Sequence, residues 1–174
     1  EALFGDYNPG GRLAVTFPKS VGQIPFAFPF KPGSDESSET SVYGALYPFG
    51  HGLSYTTFQY SDLVISPSKQ GVQGNISISC TIKNIGQREG DEVVQLYLRD
   101  EVSSVTTYTQ VLRGFERITL KPEASHTVHF ELTPQELGIW DKQMNFTVEP
   151  GMFKVMIGSS SKDIRLKGEF EIAQ

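Results

Sequence analysis

The 174-residue chain has one cysteine, no long apolar run and no excess of basic residues. Its single Cys80 excludes an internal disulfide, and its place in an alternating apolar run favours a small buried side chain over a reactive thiol. The net charge of -5, with both signs interspersed, argues against nucleic acid or an anionic lipid surface as a partner. Spanning a bilayer takes about 18 consecutive apolar residues, so we expect no membrane span.

Helical periodicity is also missing, whereas alternation with a period of two recurs along the chain. It is strictest over one run that puts four apolar side chains on a single strand face: Ile76, Ile78, Cys80 and Ile82. Residues 84–100 then form a glycine-bracketed turn followed by an apolar strand, and we predict that the two strands pair as a hairpin. At least seven short strands, separated by turns at intervals of about 8 to 12 residues, predict a mainly β fold with two packed sheets.

The first third of the chain has a different composition. Residues 18–32 contain four prolines and three phenylalanines, a mixture that cannot be helical and predicts extended chain lying on an apolar surface. Residues 34–41 are acidic and serine-rich, which predicts a solvated loop that proteases would cut between Gly33 and Ser41. Residues 43–57 are dense in aromatics and glycines, as in a connector packed between two bodies. The chain begins at Glu1 without a signal peptide, as a mature product or a fragment would.

Catalytic chemistry is hard to place on the carboxylates of this sequence. Hydrolysis by a pair of carboxyl groups needs the two groups to face each other across the substrate, about 5 to 9 Å apart. Asp91 and Glu92 are adjacent at the start of a strand and should diverge. The remaining candidates lie in the acidic loop, which we expect to be too loose for such geometry: Asp35, Glu36 and Glu39.

Metal and cofactor sites are equally hard to place. His126 and His129 are three residues apart on a predicted strand, so they should point to opposite faces and cannot share a metal. His51 has no titratable neighbour at a suitable spacing, which favours a packed or hydrogen-bonded histidine over a ligand. The chain has no phosphate-binding loop and no Ser/His/Asp order. We therefore assign no catalytic, cofactor-binding or metal-ligating residue and expect no cofactor.

Four aromatic residues could instead form platforms for a sugar: Tyr97, Tyr108, Phe115 and Trp140. Sugar-binding modules use exposed aromatic rings, whereas aromatic residues in strands are more often buried in the core. The core interpretation is favoured for these four. A carbohydrate or cell-surface binding module stays open as the alternative function.

Several longer motifs resemble one enzyme family. The stretches are GDYNPGGRL at 5–13, TFPKSVGQIP at 16–25, LYPFGHGLSYTTF at 46–58, GDEVVQLY at 90–97, LRGFERI at 112–118 and EPG at 149–151. Together they resemble the C-terminal part of family 3 glycoside hydrolases, including its fibronectin type III-like domain. The resemblance runs along almost the whole chain.

The resemblance implies an enzyme of the β-glucosidase or β-xylosidase type, in which a barrel domain and an α/β sandwich domain precede the fibronectin-like module. Residues 1–57 would then be the end of the adjoining α/β domain and its connector. Residues 58–174 would be the fibronectin type III-like (immunoglobulin-like) β-sandwich. The family's aspartate nucleophile and acid/base glutamate would both lie upstream. The chain alone is thus expected to be inactive and to buttress the catalytic domains of the same enzyme, with possible contact to an oligosaccharide and a periplasmic or secreted location.

Overall fold

The structure, a computed structural model, describes residues 1–34 and 44–174. Its strands, in chain order, are β1 (Phe17–Pro18), β2 (Ala45–Tyr47), β3 (Phe58–Ser66), β4 (Lys69–Gly71), β5 (Ile76–Asn84), β6 (Gly90–Asp100), β7 (Val111–Leu120), β8 (Ser125–Leu132), β9 (Ile139–Trp140), β10 (Phe146–Thr147), β11 (Gly151–Gly158) and β12 (Ile164–Ala173). One α-helix, α1, spans Pro134–Leu137, and short 3₁₀ turns cover Ala2–Phe4 and Val21–Gln23.

Two sheets pack face to face, which confirms the predicted β-sandwich. One sheet has the order β4-β12-β11-β6-β7, and the other has the order β3-β5-β8. The predicted inner face of β5 is fully buried from Ile76 to Ile82 at every second residue. It meets the inner residues of β6, β11 and β12, where the rings of Phe153 and Phe170 stack at 5.4 Å. The alternation in the sequence therefore marks the core.

The predicted hairpin between β5 and β6 is wrong, because these two strands lie in different sheets. The β5 strand pairs on its two sides with β3 and β8, and β6 pairs with β11 and β7. Asn84, which is fully buried, diverts the chain: its Nδ2 donates to the backbone oxygens of Arg88 at 2.7 Å and Leu120 at 2.9 Å. Its Oδ1 accepts from the amide of Gly86 at 3.0 Å. Crossing between sheets lets both apolar faces point into one core.

The corner after β8 contains a helical turn that alternation did not predict. Thr133 and Glu136 form a capping box, in which the Thr133 amide donates to the Glu136 carboxylate at 2.8 Å, and Pro134 occupies the first turn. The corner turns inward at Leu137, which is buried. Trp140, which follows in β9, points outward instead.

The N-terminal segment comprises residues 1–57, and its described parts, residues 1–34 and 44–57, lie along the sandwich as extended chain. Strands β1 and β2 pair with each other, and Leu13 exchanges backbone hydrogen bonds of 2.8 Å with His51 and Gly50. The predicted acidic loop, with Asp35, Glu36 and Glu39, lies outside the described residues, and so does most of the expected cleavage region. The division of the chain at residue 57 stays a prediction.

Candidate functional site

The junction between the N-terminal segment and the sandwich holds a buried ion pair. Nη2 of Arg12 lies 2.5 Å from Oε1 of Glu92, and the two side chains are 9% and 5% exposed. Glu92 also accepts the amide N–H of Val93 at 2.8 Å. Burial, followed by the Glu92 charge, raises the pKa of the Tyr60 hydroxyl of β3 above its usual range. A charged side chain of the segment is thus seated in the sandwich.

Asn8 joins three backbone stretches at the same end of the sandwich. Its Nδ2 donates to the carbonyl of Glu89 at 3.0 Å, and its Oδ1 accepts from the amide of Tyr55 at 2.8 Å. The contact depends on glycine, because a Cβ at Gly90 would lie 2.4 Å from Asn8 Nδ2 and one at Gly10 would lie 2.5 Å from the Cβ of Asp91. Glycines at these two positions let the segment and the start of β6 touch.

An aromatic stack covers the outer face of β6 further along. Phe28 stacks on Phe49 at 4.6 Å and meets Tyr97 edge-on at 5.8 Å, so Tyr97 is fully buried even though it faces away from the core. Gln95 beside it donates to the carbonyl of Ser159 at 2.6 Å and accepts from the Tyr97 hydroxyl. The prediction that the phenylalanine run lies on an apolar surface is confirmed here.

The other side of the N-terminal segment is apolar and uncovered among the described residues. Leu3, Phe4 and Val21 are each nearly fully exposed, and Leu53 and Ile24 are largely exposed. Exposed apolar side chains of this size cost free energy in water, and burial against another surface would recover it. The junction therefore holds rigidly a segment that presents apolar groups outward. It can bind another protein surface, and residues 1–34 and 44–174 hold no group of three or more His, Cys, Asp or Glu side chains placed to bind a metal ion.

Two family descriptions match the chain. "Glycosyl hydrolase family 3 C-terminal domain" matches residues 1–55, and "Fibronectin type III-like domain" matches residues 92–161. The chain belongs to the C-terminal region of family 3 glycoside hydrolases. It is 42% identical to a periplasmic β-glucosidase of Salmonella typhimurium over 99% of its own length and 24% of that protein. It is 43% identical to a β-xylosidase of Formosa agariphila over 95% of its length and 23% of that protein.

Solved β-glucosidases share the fold of the whole chain. A β-glucosidase from Erythrobacter marinus superposes with a TM-score of 0.91 at 38% identity, covering 98% of this chain and 23% of that one. A β-glucosidase from Listeria innocua in complex with glucose gives a TM-score of 0.88 at 32% identity, covering 99% and 25%. The chain thus spans about a quarter of the length of the family 3 proteins that it matches.

The adjacent carboxylates of this family 3 chain diverge, as predicted. Asp91 faces outward, where hydrogen bonds from Thr119 and Arg117 lower the pKa of its carboxyl. Glu92 points the other way, toward Arg12. The two carboxylates have separate cationic partners and cannot flank one sugar.

Each of the three histidines has different neighbours. His51 stacks on Tyr47 with the ring centroids 5.2 Å apart, so its packed interpretation is supported. His126 places Nε2 3.5 Å from a carboxylate oxygen of Glu116, while His129 is exposed across from Ser79.

In the described part of the chain, no helix is long and apolar enough to cross a membrane.

The core interpretation of the four aromatic candidates is correct only for Tyr97. Phe115 and Trp140 are 67% and 59% exposed, and Tyr108 is also exposed. Phe115 lies opposite Gln95 in the sheet, on the outer face of β7. The junction residues Arg12, Asn8 and Asn84 were not singled out from the sequence, because a polar residue in a turn carries no sign of its distant partner.

Proposed function

We propose that this chain is the non-catalytic C-terminal part of a glycoside hydrolase that acts on β-linked glucosides or xylosides, and that it buttresses the catalytic domains of that enzyme. The names of the relatives support the substrate class, since they include β-glucosidases and β-xylosidases. The adjacent carboxylates Asp91 and Glu92 point away from each other, toward separate cationic partners, which supports catalysis elsewhere in the enzyme.

The observation that carries the proposal is the anchored apolar surface of the N-terminal segment. The Arg12–Glu92 pair, the Asn8 contacts and the Phe28 stack hold one side of the segment on the sandwich. The opposite side exposes Phe4 and Val21, which would be buried against the preceding domains. The sandwich would then act as a rigid support that fixes the segment in the position its neighbours need.

Reconstitution from two polypeptides tests the proposal. The chain alone should not hydrolyse nitrophenyl β-glucoside or β-xyloside, and it should restore activity or stability to the separately expressed catalytic region of the parent enzyme. Charged substitutions in the exposed patch, Phe4→Asp with Val21→Asp, should abolish that effect and leave the melting temperature of the chain unchanged. Val102→Asp is the control, because Val102 is also largely exposed and lies at the end of the loop after β6 that Glu149 holds, rather than at the end held by the segment.

Two results would contradict the buttress role. Turnover by the purified chain itself would mean that it carries its own catalytic groups. Full reconstitution by the doubly charged variant would mean that the exposed patch faces solvent in the enzyme.

We also propose the domain division at residues 57 and 58, with the connector ending where β3 begins. We further propose a periplasmic or secreted location, because the Salmonella typhimurium relative is named a periplasmic β-glucosidase. Cell fractionation of the native host tests the location.

Carbohydrate binding is the second candidate function, and the exposed Trp140 favours it.

A further inference from the structure

A cavity of about 260 Å³ opens at the far end of the sandwich. Its lining includes Asp100, Arg113, Glu136, Tyr108 and Trp140. Asp100 lies eight residues after Glu92 on the same strand, or about 26 Å at a rise of ~3.3 Å per residue. The cavity is therefore well separated from the buried ion pair of the junction.

Trp140 forms an exposed and well-supported wall of this cavity. The β9–β10 hairpin pairs Trp140 with Phe146, and the two rings meet edge-on at 5.5 Å. The turn of the hairpin is held by Asp141, whose Oδ1 accepts from the amides of Gln143 and Asn145 at 2.8 Å each. The indole keeps one face in contact with protein while the side chain stays 59% exposed. Such a fixed aromatic surface loses little entropy when a ligand stacks on it.

Arg113 supplies an uncommitted cation beside that wall. Three arginines of the sandwich, Arg99, Arg117 and Arg165, each form an ion pair with a carboxylate, and Arg88 lies over the ring of Tyr55. Arg113 forms none within the described ranges, and its Nε is buried there without a hydrogen-bond partner. Burial lowers its pKa, opposed by the charge of Glu136. The guanidinium still has several N–H groups to offer to a ligand.

The opposite wall is held by the N-terminal segment. The amide and the hydroxyl of Thr109 both donate to the carbonyl of Phe30, at 2.8 and 3.1 Å. At the other end of the same loop, the Glu149 carboxylate accepts the amide of Ser104 at 2.8 Å. Tyr108 is thereby fixed between two anchored points. Both aromatic walls are in place before any ligand arrives.

We propose that this cavity binds one ring of a neutral pyranose chain. A pyranose has an apolar C–H face that suits an exposed indole, and equatorial hydroxyls that both donate and accept hydrogen bonds. The guanidinium of Arg113 can donate to a hydroxyl, and the carboxyls of Asp100 and Glu136 can accept from others. The cavity lining has two carboxyl groups and one guanidinium, so an anionic ligand would meet net electrostatic repulsion. The volume lies near the lower limit of ligand pockets, roughly 300 to 1,000 Å³, which fits one ring.

A fluorescence titration tests the proposal directly, because Trp140 is the only tryptophan of the chain. The choice of cellotetraose and xylotetraose as probes rests on the proposed function. We expect a saturable change in indole emission with a Kd of about 1 mM, the value that ordinary ligand efficiency gives for one ring. An oligogalacturonide of similar length, which carries negative charge, should bind more weakly.

Variants locate the binding and separate it from the buttress role. In affinity gels containing β-glucan or xylan, Trp140→Ala should weaken retardation by about tenfold or more, and Arg113→Met should weaken it as well. Phe115→Ala is the matched control, because it removes an equally exposed aromatic outside the cavity. Circular dichroism and the melting temperature show that each variant is folded.

Three results would overturn the site. They are no emission change with either neutral probe, retardation of Trp140→Ala equal to that of the parent chain, and a preference for the anionic probe. The reconstitution experiment does not involve this cavity. Failure of sugar binding alongside intact reconstitution would therefore remove the site and leave the buttress role in place.

Discussion

Replacing Glu92 by leucine should strongly destabilise the chain, because it leaves the Arg12 guanidinium without its counter-ion. Arg12 is 9% exposed, and its Nη1 also donates a long hydrogen bond of 3.4 Å to the carbonyl of Gly11. Removing one partner of a buried ion pair typically costs about 3 to 5 kcal/mol. A domain has about 5 to 15 kcal/mol of stability in total. The expected loss is thus a large part of the whole.

Urea unfolding followed by circular dichroism measures this loss as a lower midpoint. The double variant Arg12→Met with Glu92→Leu should recover most of the stability and lie within about 1 kcal/mol of the parent chain, because apolar side chains of similar size can replace a buried pair. The coupling between the two positions follows from the cycle of single and double variants.

An exposed ion pair provides the control. Lys69 and Glu171 lie 2.8 Å apart with side chains 60% and 42% exposed, so Glu171→Gln should cost at most about 1 kcal/mol. A cost for Glu92→Leu as small as that of Glu171→Gln would refute the reasoning. It would mean that the Arg12 guanidinium is hydrated and that the N-terminal segment is not seated in the sandwich.

Three further predictions concern the sandwich itself. Ile82→Asp should unfold the sandwich, because an unpaired buried carboxylate costs several kcal/mol. Ser77→Lys, on the exposed face of the same strand, should leave it folded. Far-UV circular dichroism distinguishes the two variants, and a folded Ile82→Asp would contradict the inward orientation of Ile82 in β5. Hydrogen bonds from Arg165, then from Ser159, lower the pKa of Asp163 in the folded state, so its contribution is present above the ordinary carboxyl pKa and is lost as the pH falls through the lower folded value. Asp163→Asn should accordingly make stability less dependent on pH below about pH 4, and an unchanged acid slope would count against it. Burial raises the pKa of the Cys80 thiol to about 11. A disulfide reagent at mildly alkaline pH should therefore label Cys80 only after denaturation. Rapid labelling of the native chain would show that β5 opens.

Local sequence pattern was sufficient for the strands and their inner faces. Ile76 to Ile82 alternate with polar residues, and the structure buries each of the four apolar side chains. Strand β3 has a register shift between Ser61 and Val64, where Asp62 adopts a positive φ of 53°. These features depend on residues close together in the chain, so their signal is present in the sequence.

Sheet membership could not be read from the same pattern. A turn between two alternating strands is compatible with a hairpin and with a crossing from one sheet to the other. The crossing at Asn84 is decided by hydrogen bonds to Leu120, 36 residues away, and to the Thr56 hydroxyl. A side chain with partners that distant leaves no periodic trace.

The sequence by itself determined the family, the β-sandwich and the apolar core of the chain. The tertiary structure alone decided that Arg12 reaches Glu92, that Tyr97 is buried while Trp140 is exposed, and that Arg113 shares a cavity with Trp140. The physical reason is that alternation identifies which side chains share a strand face, whereas burial and pairing depend on what later covers that face. Tyr97 is covered by Phe28, a residue of the N-terminal segment that is distant in sequence.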